Sequence, residues 1–179
     1  MSLSSREIEA FREHLIPTEL KRGEQFLSRE RTEHCMFFLQ SGLLMHYQLV
    51  KGEKIPFNFT FENDWAVYVT LDIEKEHEVQ FVALEDCTIF SLSKQSLDDL
   101  ATKSTKYFVL RDIYVERLFT NTVRYSAIMS TARPKDKYLY LIKNHPAIFQ
   151  RVPQYYIASY LGIRPESLSR IRKRISREH

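Results

Sequence analysis

The sequence predicts an α+β protein in which an N-terminal antiparallel β-roll, jelly-roll-like in type, precedes a long helix and a C-terminal helix-turn-helix. Three observations support this order. Short runs of β-branched and aromatic residues separated by turns fill residues 20–93, and residues 107–132 contain neither Gly nor Pro. Two short amphipathic segments flank Gly162 near the end of the chain. We therefore predict three domains, bounded as follows: the roll with flanking helices at 1–103, the long helix and hinge at 104–133, and the helix-turn-helix at 134–179.

The N-terminal region changes character after a first helix, which we predict near residues 4–14. Runs such as HCMFFLQ, LLMHYQLV and CTIFSLS then recur at intervals of about ten residues, separated by turns such as Ser41-Gly42. Because the runs are short and rich in Val, Ile, Phe and Tyr, they favour strands over helices. Many short strands at this spacing are typical of an antiparallel barrel or roll. One aromatic group either fills the roll or lines a ligand pocket: Phe57, Phe59, Phe61, Trp65 and Tyr68.

Two helices are predicted to follow the strands. The first lies near residues 93–104, with Ser96 as a candidate cap, and the second covers about seven turns over residues 107–132. The long helix has too many apolar positions for a single buried face, so we expect it to pack both on its own domain and on a second copy. The alternative is a helix buried wholly within one chain. The predicted dimer contacts are Leu110, Ile113, Tyr114 and Leu118.

The C-terminal region is punctuated by proline and glycine. Pro134 ends the long helix and makes RPKD a predicted hinge; KYLYLIKNHP then predicts a short helix and AIFQRVP an extended link. Beyond this link, Pro153 and Pro165 can each start a helix, while Gly162 supplies the positive φ that ends the first of them. The predicted buried residues of the two helices are Ile157, Ala158, Leu161, Leu168, Ile171 and Ile175.

Charge is unevenly distributed along the chain. Residues 151–179 hold seven Lys/Arg and two Asp/Glu, which leaves nineteen basic and twenty-one acidic residues in 1–150. A basic end on a slightly acidic body indicates a polyanionic partner. On the second helix, Arg170 suits a bidentate contact to guanine, and Glu166 can accept from cytosine or hold Arg170. The predicted phosphate contacts are Gln154, Arg164, Ser167, Ser169, Lys173, Arg174 and Arg177. The alternative is a helical hairpin that merely packs on the body.

The run RVPQYYIASYLGIRPESLSRIRK resembles the helix-turn-helix of CRP/FNR-type transcription regulators. LKRGEQFLSRE, FFLQSGLLMHY and VALEDCTIFSLSK resemble successive parts of that family's β-roll, and the long helix resembles its dimerisation helix. The resemblance implies a cytoplasmic bacterial homodimer that binds double-stranded DNA, with RNA polymerase and an unknown small-molecule effector as candidate partners. It assigns Glu166 and Arg170 to base contacts. Pro165 replaces a basic base-contacting residue that many members carry, so a different site preference is expected.

Two departures from the family pattern carry predictions. In members that bind cyclic AMP, an Arg and a Ser or Thr hold the cyclic phosphate, whereas this sequence has His77 and Glu78 at those positions. A carboxylate repels phosphate and a histidine is mostly neutral at pH 7, so we predict that cyclic AMP does not bind. In addition, the sequence continues only to His179 after the second helix, without an evident β-wing.

Other functional classes find little support in the sequence. No apolar run reaches the length of a membrane helix, and the two cysteines, Cys35 and Cys87, have no metal-binding spacing. The strand histidines His34, His46 and His77 are dispersed, so we expect no metal, haem or other cofactor. We also find no catalytic motif, and expect no enzyme activity. The remaining alternative is a β-roll that binds a small molecule or a protein and retains a vestigial helix-turn-helix.

Overall fold

The computed structural model describes residues 3–26, 35–68 and 79–178. Seven strands and seven helices are assigned within these ranges. Their bounds are α1 Ser5–Glu13, β1 Ile16–Leu20, β2 Cys35–Ser41, β3 Leu44–Val50, β4 Glu53–Thr60, β5 Trp65–Tyr68, β6 Gln80–Ala83, β7 Cys87–Leu92, α2 Lys94–Lys103, α3 Lys106–Thr131, α4 Pro134–Asn144, α5 Ile148–Arg151, α6 Gln154–Tyr160 and α7 Pro165–Glu178. The predicted α+β class and order of elements are confirmed.

The strands form the predicted antiparallel roll. A four-stranded sheet has the order β1-β7-β2-β5, and a three-stranded sheet has the order β4-β3-β6. Side chains alternate between the two faces of each strand, so every second residue points into the space between the sheets. Those inward residues form one apolar core: Leu20, Phe37, Leu39, Leu44, Ala66, Phe81, Ala83, Cys87 and Ile89.

Strand β3 is buried on both faces over its first half. Leu44 points into the roll, whereas its neighbours Met45 and Tyr47 join a second core shared with helices α4 to α7. A strand covered on both sides requires apolar residues at consecutive positions, and Leu43, Leu44 and Met45 provide them at its start. The C-terminal helices therefore lie directly on the outer face of the three-stranded sheet.

Three local predictions need correction. Strand β1 was not predicted; it pairs antiparallel with β7, from Ile16 opposite Ser91 to Leu20 opposite Cys87. Helix α2 is capped by Ser93, whose Oγ accepts the Ser96 N–H at 3.0 Å, and not by Ser96 itself. The segment AIFQRVP is not extended, because Ile148–Arg151 forms a short helix whose Ile148 is buried.

Helix α3 has two distinct sides, as its sequence predicted. On the inner side, Tyr107 is buried and Tyr114 and Tyr125 are half-buried against the body of the protein. The other side exposes a set of large apolar side chains that we call the outer apolar face: Phe108, Val109, Ile113, Val115, Phe119 and Val123. Six exposed side chains of this size on one helix are unusual for a monomer. None of the helices in the described ranges combines the length and apolar content needed to cross a membrane.

Gly42, between β2 and β3, occupies a position that only glycine fits. Its φ is +94°, and a Cβ placed there would collide with the Asp86 carbonyl oxygen and the Cys87 Sγ. Replacing Gly42 by Ala is therefore expected to lower the free energy of unfolding by roughly 2–5 kcal/mol, since backbone strain and overlap add. Urea denaturation measures the loss. Gly52→Ala is the matched control, because Gly52 also has a positive φ of +83° but open space around it. Equal losses in the two variants would contradict the steric part of this explanation.

Candidate nucleic-acid interface

The turn between α6 and α7 closes with two backbone hydrogen bonds. The Ile163 N–H donates to the Ala158 carbonyl at 3.0 Å, and the Gly162 N–H donates to the Ser159 carbonyl at 2.9 Å. Gly162 has φ +64°. This is the Schellman arrangement, in which a left-handed residue ends the helix and a following apolar residue packs back on it. This turn, which depends on Gly162 and Ile163, sets the direction in which α7 leaves α6.

The two helices bury the apolar residues that the sequence predicted. Ile157, Ala158 and Leu161 of α6 and Leu168 of α7 are at most 1 % exposed. Ile171 and Ile175 are half-buried against the same core. Because these α7 residues lie on one side of the helix, its other side is turned to solvent.

The solvent side of α7 carries the predicted recognition residues. Glu166 and Arg170 are both exposed, and neither makes an ion pair within the described residues. Both groups are thus available to a partner. Six of the seven predicted phosphate contacts are also exposed, the half-buried Ser167 being the exception: Gln154, Arg164, Ser169, Lys173, Arg174 and Arg177. Arg172, by contrast, is half-buried with its guanidinium carbon 5.9 Å from the Phe149 ring centroid.

Arg151 differs from the other basic residues of the C-terminal region. Its guanidinium binds the carboxylates of Glu62 and Glu85, with four contacts of 2.5–2.8 Å, and the Gly42 carbonyl at 3.0 Å. We call this group the Arg151 clamp: Arg151, Glu62 and Glu85. The two carboxylates, Glu85 more strongly than Glu62, raise the pKa of Arg151 above its usual value. The guanidinium in turn lowers the pKa of Glu62. The clamp joins α5 to two turns of the roll, so Arg151 is not part of the exposed basic surface.

Aromatic side chains complete the contact between the C-terminal helices and the body. Tyr160 of α6 packs edge-on against Phe59 of β4 at 5.1 Å between ring centroids, and it stacks on Tyr125 of α3 at 4.9 Å. The Tyr125 hydroxyl donates to the Tyr160 carbonyl at 3.1 Å. Burial raises the pKa of Tyr125 to about 12 and that of Tyr160 further, so both hydroxyls stay protonated.

The strand aromatics do not act as a single group. Phe59 contacts the C-terminal helices, Phe61 stacks on His145 at 4.8 Å, and Phe57 is 38 % exposed. Trp65 lies against α1 and α3. Of the two possibilities for these residues, filling the roll does not apply to Phe59, Phe61 and Trp65, which pack outside the roll core.

The residues considered for metal, haem or thiol chemistry divide into buried and undescribed ones. His46 is 5 % exposed, shares a hydrogen bond of 2.6 Å with Thr60 Oγ1, and has a pKa lowered to about 3 by burial. It is a packed neutral histidine. Cys87 is a buried free thiol whose pKa burial raises. The positions predicted to replace a cyclic phosphate site, His77 and Glu78, lie outside the described residues, as does His34.

Sequence reasoning did not identify the Arg151 clamp. Glu62 and Glu85 are ordinary turn residues in the sequence, and Arg151 resembles the other basic residues near the C-terminus. The sequence offered one weak signal, namely that each glutamate lies in a turn between two strands: Glu62 between β4 and β5, and Glu85 between β6 and β7. The fold brings these two turns to one end of the roll.

Comparison with known proteins supports the fold. Residues 17–104 match the profile of the cyclic nucleotide-binding domain family. FixK2 from Bradyrhizobium japonicum aligns at 13% identity with a TM-score of 0.74, over 92% of this chain and 85% of its own. The c-di-GMP responsive global regulator CLP from Xanthomonas campestris aligns at 16% identity with a TM-score of 0.67, over 98% and 93%.

A regulator described as a CRP/FNR-family member, from Eubacterium rectale, aligns at 16% identity with a TM-score of 0.68, over 98% of this chain and 85% of its own. No curated protein matches the chain by sequence. At these identities the likeness establishes a shared fold across nearly the whole chain, and the exposed surface of α7 must carry the argument about function.

Proposed function

We propose that this chain, a CRP/FNR-like protein, is a dimeric transcription regulator. In this proposal it binds specific DNA sequences. The observation that carries the proposal is α7: one side of this helix is packed on the core while the opposite side exposes Glu166, Arg170 and Lys173. A helix that is held by a tight turn and exposes charged side chains on one side is suited to bind in the major groove of DNA. The regulators whose fold it shares include one described as a global regulator.

In this proposal the residues of α7 have two kinds of role. Arg170 makes a bidentate contact to guanine, and Glu166 accepts from a cytosine amino group or orients Arg170. The remaining exposed residues contact phosphate and fix the register without reading sequence. Ser167, which is half-buried, can do so only through its outward-facing atoms. The phosphate set is Gln154, Arg164, Ser167, Ser169, Lys173, Arg174 and Arg177.

Dimerisation is the second part of the proposal, and it rests on the outer apolar face of α3. Of the four residues that the sequence indicated for this contact, Ile113 is 55 % exposed and belongs to that face. Tyr114 instead donates a hydrogen bond to the Trp65 carbonyl, and Leu118 is half-buried. Leu110 is 36 % exposed and contacts a cavity described below. Two chains paired this way would present recognition helices about 34 Å apart to one side of a duplex.

The roll is proposed not to bind cyclic AMP, because the sequence has His77 and Glu78 at the positions where cyclic AMP-binding members of the family carry the Arg and the Ser or Thr that hold the phosphate. RNA polymerase and a small-molecule effector remain candidate partners of the dimer.

Selection of bound duplexes from a random DNA pool tests the proposal. The expected result for the wild type is a two-fold symmetric motif with half-sites one helical turn apart. Arg170→Ala should weaken binding to that motif by about 1–3 kcal/mol and relax the preference at one base pair in each half-site. Lys173→Ala is the matched control, since loss of a phosphate contact should weaken binding to all sequences alike. The salt concentration is held at about 100 mM throughout, because phosphate contacts make the affinity for DNA steeply salt-dependent.

The two variants distinguish the proposal from its alternative. A protein that enriches no motif, and whose Arg170→Ala variant behaves like the wild type, would instead be a β-roll module with a vestigial helix-turn-helix. A motif whose base preferences are unchanged in Arg170→Ala would leave sequence-specific binding intact and contradict the role of Arg170.

A further inference from the structure

A cavity of about 300 Å³ lies between the four-stranded sheet and helices α1, α2 and α3. Its wall is almost entirely apolar, with ten contributing residues: Leu3, Phe11, Met36, Trp65, Leu92, Leu97, Tyr107, Leu110, Arg111 and Tyr114. Well-packed interiors contain few voids larger than a water molecule. This cavity is instead partly open to solvent, as expected of an apolar recess that can admit a small molecule.

The cavity is not the space inside the roll. Along β2, Phe37 and Leu39 point into the roll core, so Met36 points to the opposite side of the sheet. On β7, Ile89 likewise points into the roll core, whereas Leu92, three residues further on, points to the opposite side of the sheet. The site thus lies on the outer side of the four-stranded sheet, away from the interior core.

Four aromatic rings form one wall of this cavity. The Phe11 ring lies 6.0 Å from Trp65, edge-on, and 6.3 Å from Tyr107, while the Tyr114 ring lies 6.3 Å from Trp65. Aromatic rings at such separations offer both faces and edges to another ring. We call the site, with its four rings, the aromatic cavity.

Its two tyrosine hydroxyls are already engaged. The Tyr107 hydroxyl donates to the Glu7 carbonyl at 2.7 Å, and the Tyr114 hydroxyl donates to the Trp65 carbonyl. The one charged side chain, Arg111, hydrogen-bonds Asp112 at 2.8 Å and 3.0 Å and lies over the Phe108 ring. Among the described lining residues only Arg111 and the Trp65 indole N–H keep unused donors, and the rest of the wall is apolar, so an uncharged ring matches the site better than a phosphate or a sugar.

We propose that the aromatic cavity binds an uncharged aromatic small molecule of about two rings. An engineered apolar cavity of about 150 Å³ takes up benzene, so about twice that volume suits a bicyclic or diaryl compound. The bound molecule would contact Tyr107, Leu110 and Tyr114, and so would rest on the first turns of α3, the helix that carries the outer apolar face. The inference does not depend on DNA binding.

Trp65 makes the test direct, because it is the one tryptophan of the chain and lies in the cavity wall. The full chain is titrated with 1-naphthylamine, an uncharged bicyclic aromatic probe that accepts tryptophan emission. We expect saturable uptake of one probe per chain, with Trp65 emission falling as probe emission rises. Leu97→Phe narrows the cavity and should weaken probe binding at least tenfold, as is typical of overfilling an apolar site. Leu139→Phe, the same change at a residue of α4 that is 40 % exposed, should leave it unchanged.

Thermal unfolding gives a second measurement that needs no fluorescence. The probe should raise the melting temperature of the wild type and of Leu139→Phe, but not that of Leu97→Phe, because a ligand stabilises the state that binds it. If Leu97→Phe does not fold, Leu110→Phe narrows the same cavity from α3. Unsaturable uptake, unchanged affinity in the narrowed variant, or loss of uptake on replacing Phe119 and Val123 would overturn the proposal. Since no DNA is present, failure here is distinct from failure of the proposed function.

Discussion

Replacing Phe119 and Val123 together by aspartate is expected to convert the proposed dimer to a monomer. Both side chains belong to the outer apolar face, where Phe119 is 69 % and Val123 51 % exposed. They lie four residues apart and thus on the same side of α3. Two buried carboxylates on each helix, next to two on its partner, would leave unpaired charges at the centre of the contact. Sedimentation or light scattering at micromolar concentration measures the change.

The same double variant should lose DNA affinity by about a hundredfold or more, although it alters no residue of α7. A dimer places its second recognition helix at high effective concentration once the first is bound, and a monomer lacks that advantage. Two controls define the contact. Leu139→Asp changes an exposed apolar residue of α4 and should leave the dimer intact. Tyr114→Phe removes a hydroxyl bonded within the chain, to the Trp65 carbonyl, and should also stay dimeric. A double variant that remains dimeric would exclude the outer apolar face as the interface.

The sequence predicted best those features that depend on neighbouring residues. The turn at Gly162 is one case, since positive φ, a following Ile163 and a flanking proline all act within a few residues. The apolar stripe of α7 is another, because helical periodicity places Leu168 and Ile171 on one side regardless of what they contact. These local rules gave the candidate surface almost completely.

Strand β1 shows where a local rule misleads. Pro17 is its second residue and argues against a strand, because proline lacks the N–H needed for a ladder. Among the described strands β1 pairs only with β7 and forms the edge of its sheet. An edge strand leaves one side of its backbone unpaired, so a proline is tolerated there. Edge position is a property of the whole sheet and could not be taken from residues 16–20 alone.

Contacts between distant segments were the least predictable. The periodicity of α3 indicated two apolar sides but not which one faces the body, because that depends on where Trp65 lies in the folded chain. The docking of Tyr160 on Phe59 and the Arg151 clamp likewise join elements far apart in sequence. No spacing rule relates such residues, so a single sequence carries at most a weak signal for them.

Replacing Arg151 by methionine is expected to lower the stability of the protein, because it removes the centre of the Arg151 clamp. The Arg151 side chain is 21 % exposed and those of Glu62 and Glu85 are 34 % and 35 % exposed. Without the guanidinium, two carboxylates and the Gly42 carbonyl lose their donors while still partly buried. Allowing for this partial exposure, the free energy of unfolding should fall by about 2–3 kcal/mol. Urea denaturation at pH 7 gives the value.

Acidification should reproduce part of this loss in the wild type. The clamp lowers the pKa of Glu62 below its ordinary value of 4.5, so its contribution is present above that value and is lost as the pH falls further. The gap in stability between the wild type and Arg151→Met should therefore narrow as the pH is lowered below about 4.5. Arg12→Met, which removes an exposed arginine of α1, controls for the change in net charge and should alter stability by only about 0.5 kcal/mol.

The position of the clamp adds a structural consequence to the energetic one. Arg151 is bonded to the turns that carry Gly42, Glu62 and Glu85, so it ties α5, and through it α6 and α7, to the roll. Arg151→Lys keeps the charge but cannot bind two carboxylates bidentately, so it should recover only part of the stability. If the C-terminal helices detach in Arg151→Met, small-angle scattering will report a larger radius of gyration at denaturant concentrations where the roll is still folded. Equal stability and an equal radius in wild type and variant would mean that the shared apolar core alone, from Met45 and Phe59 to Ile157, positions the recognition helix on the roll.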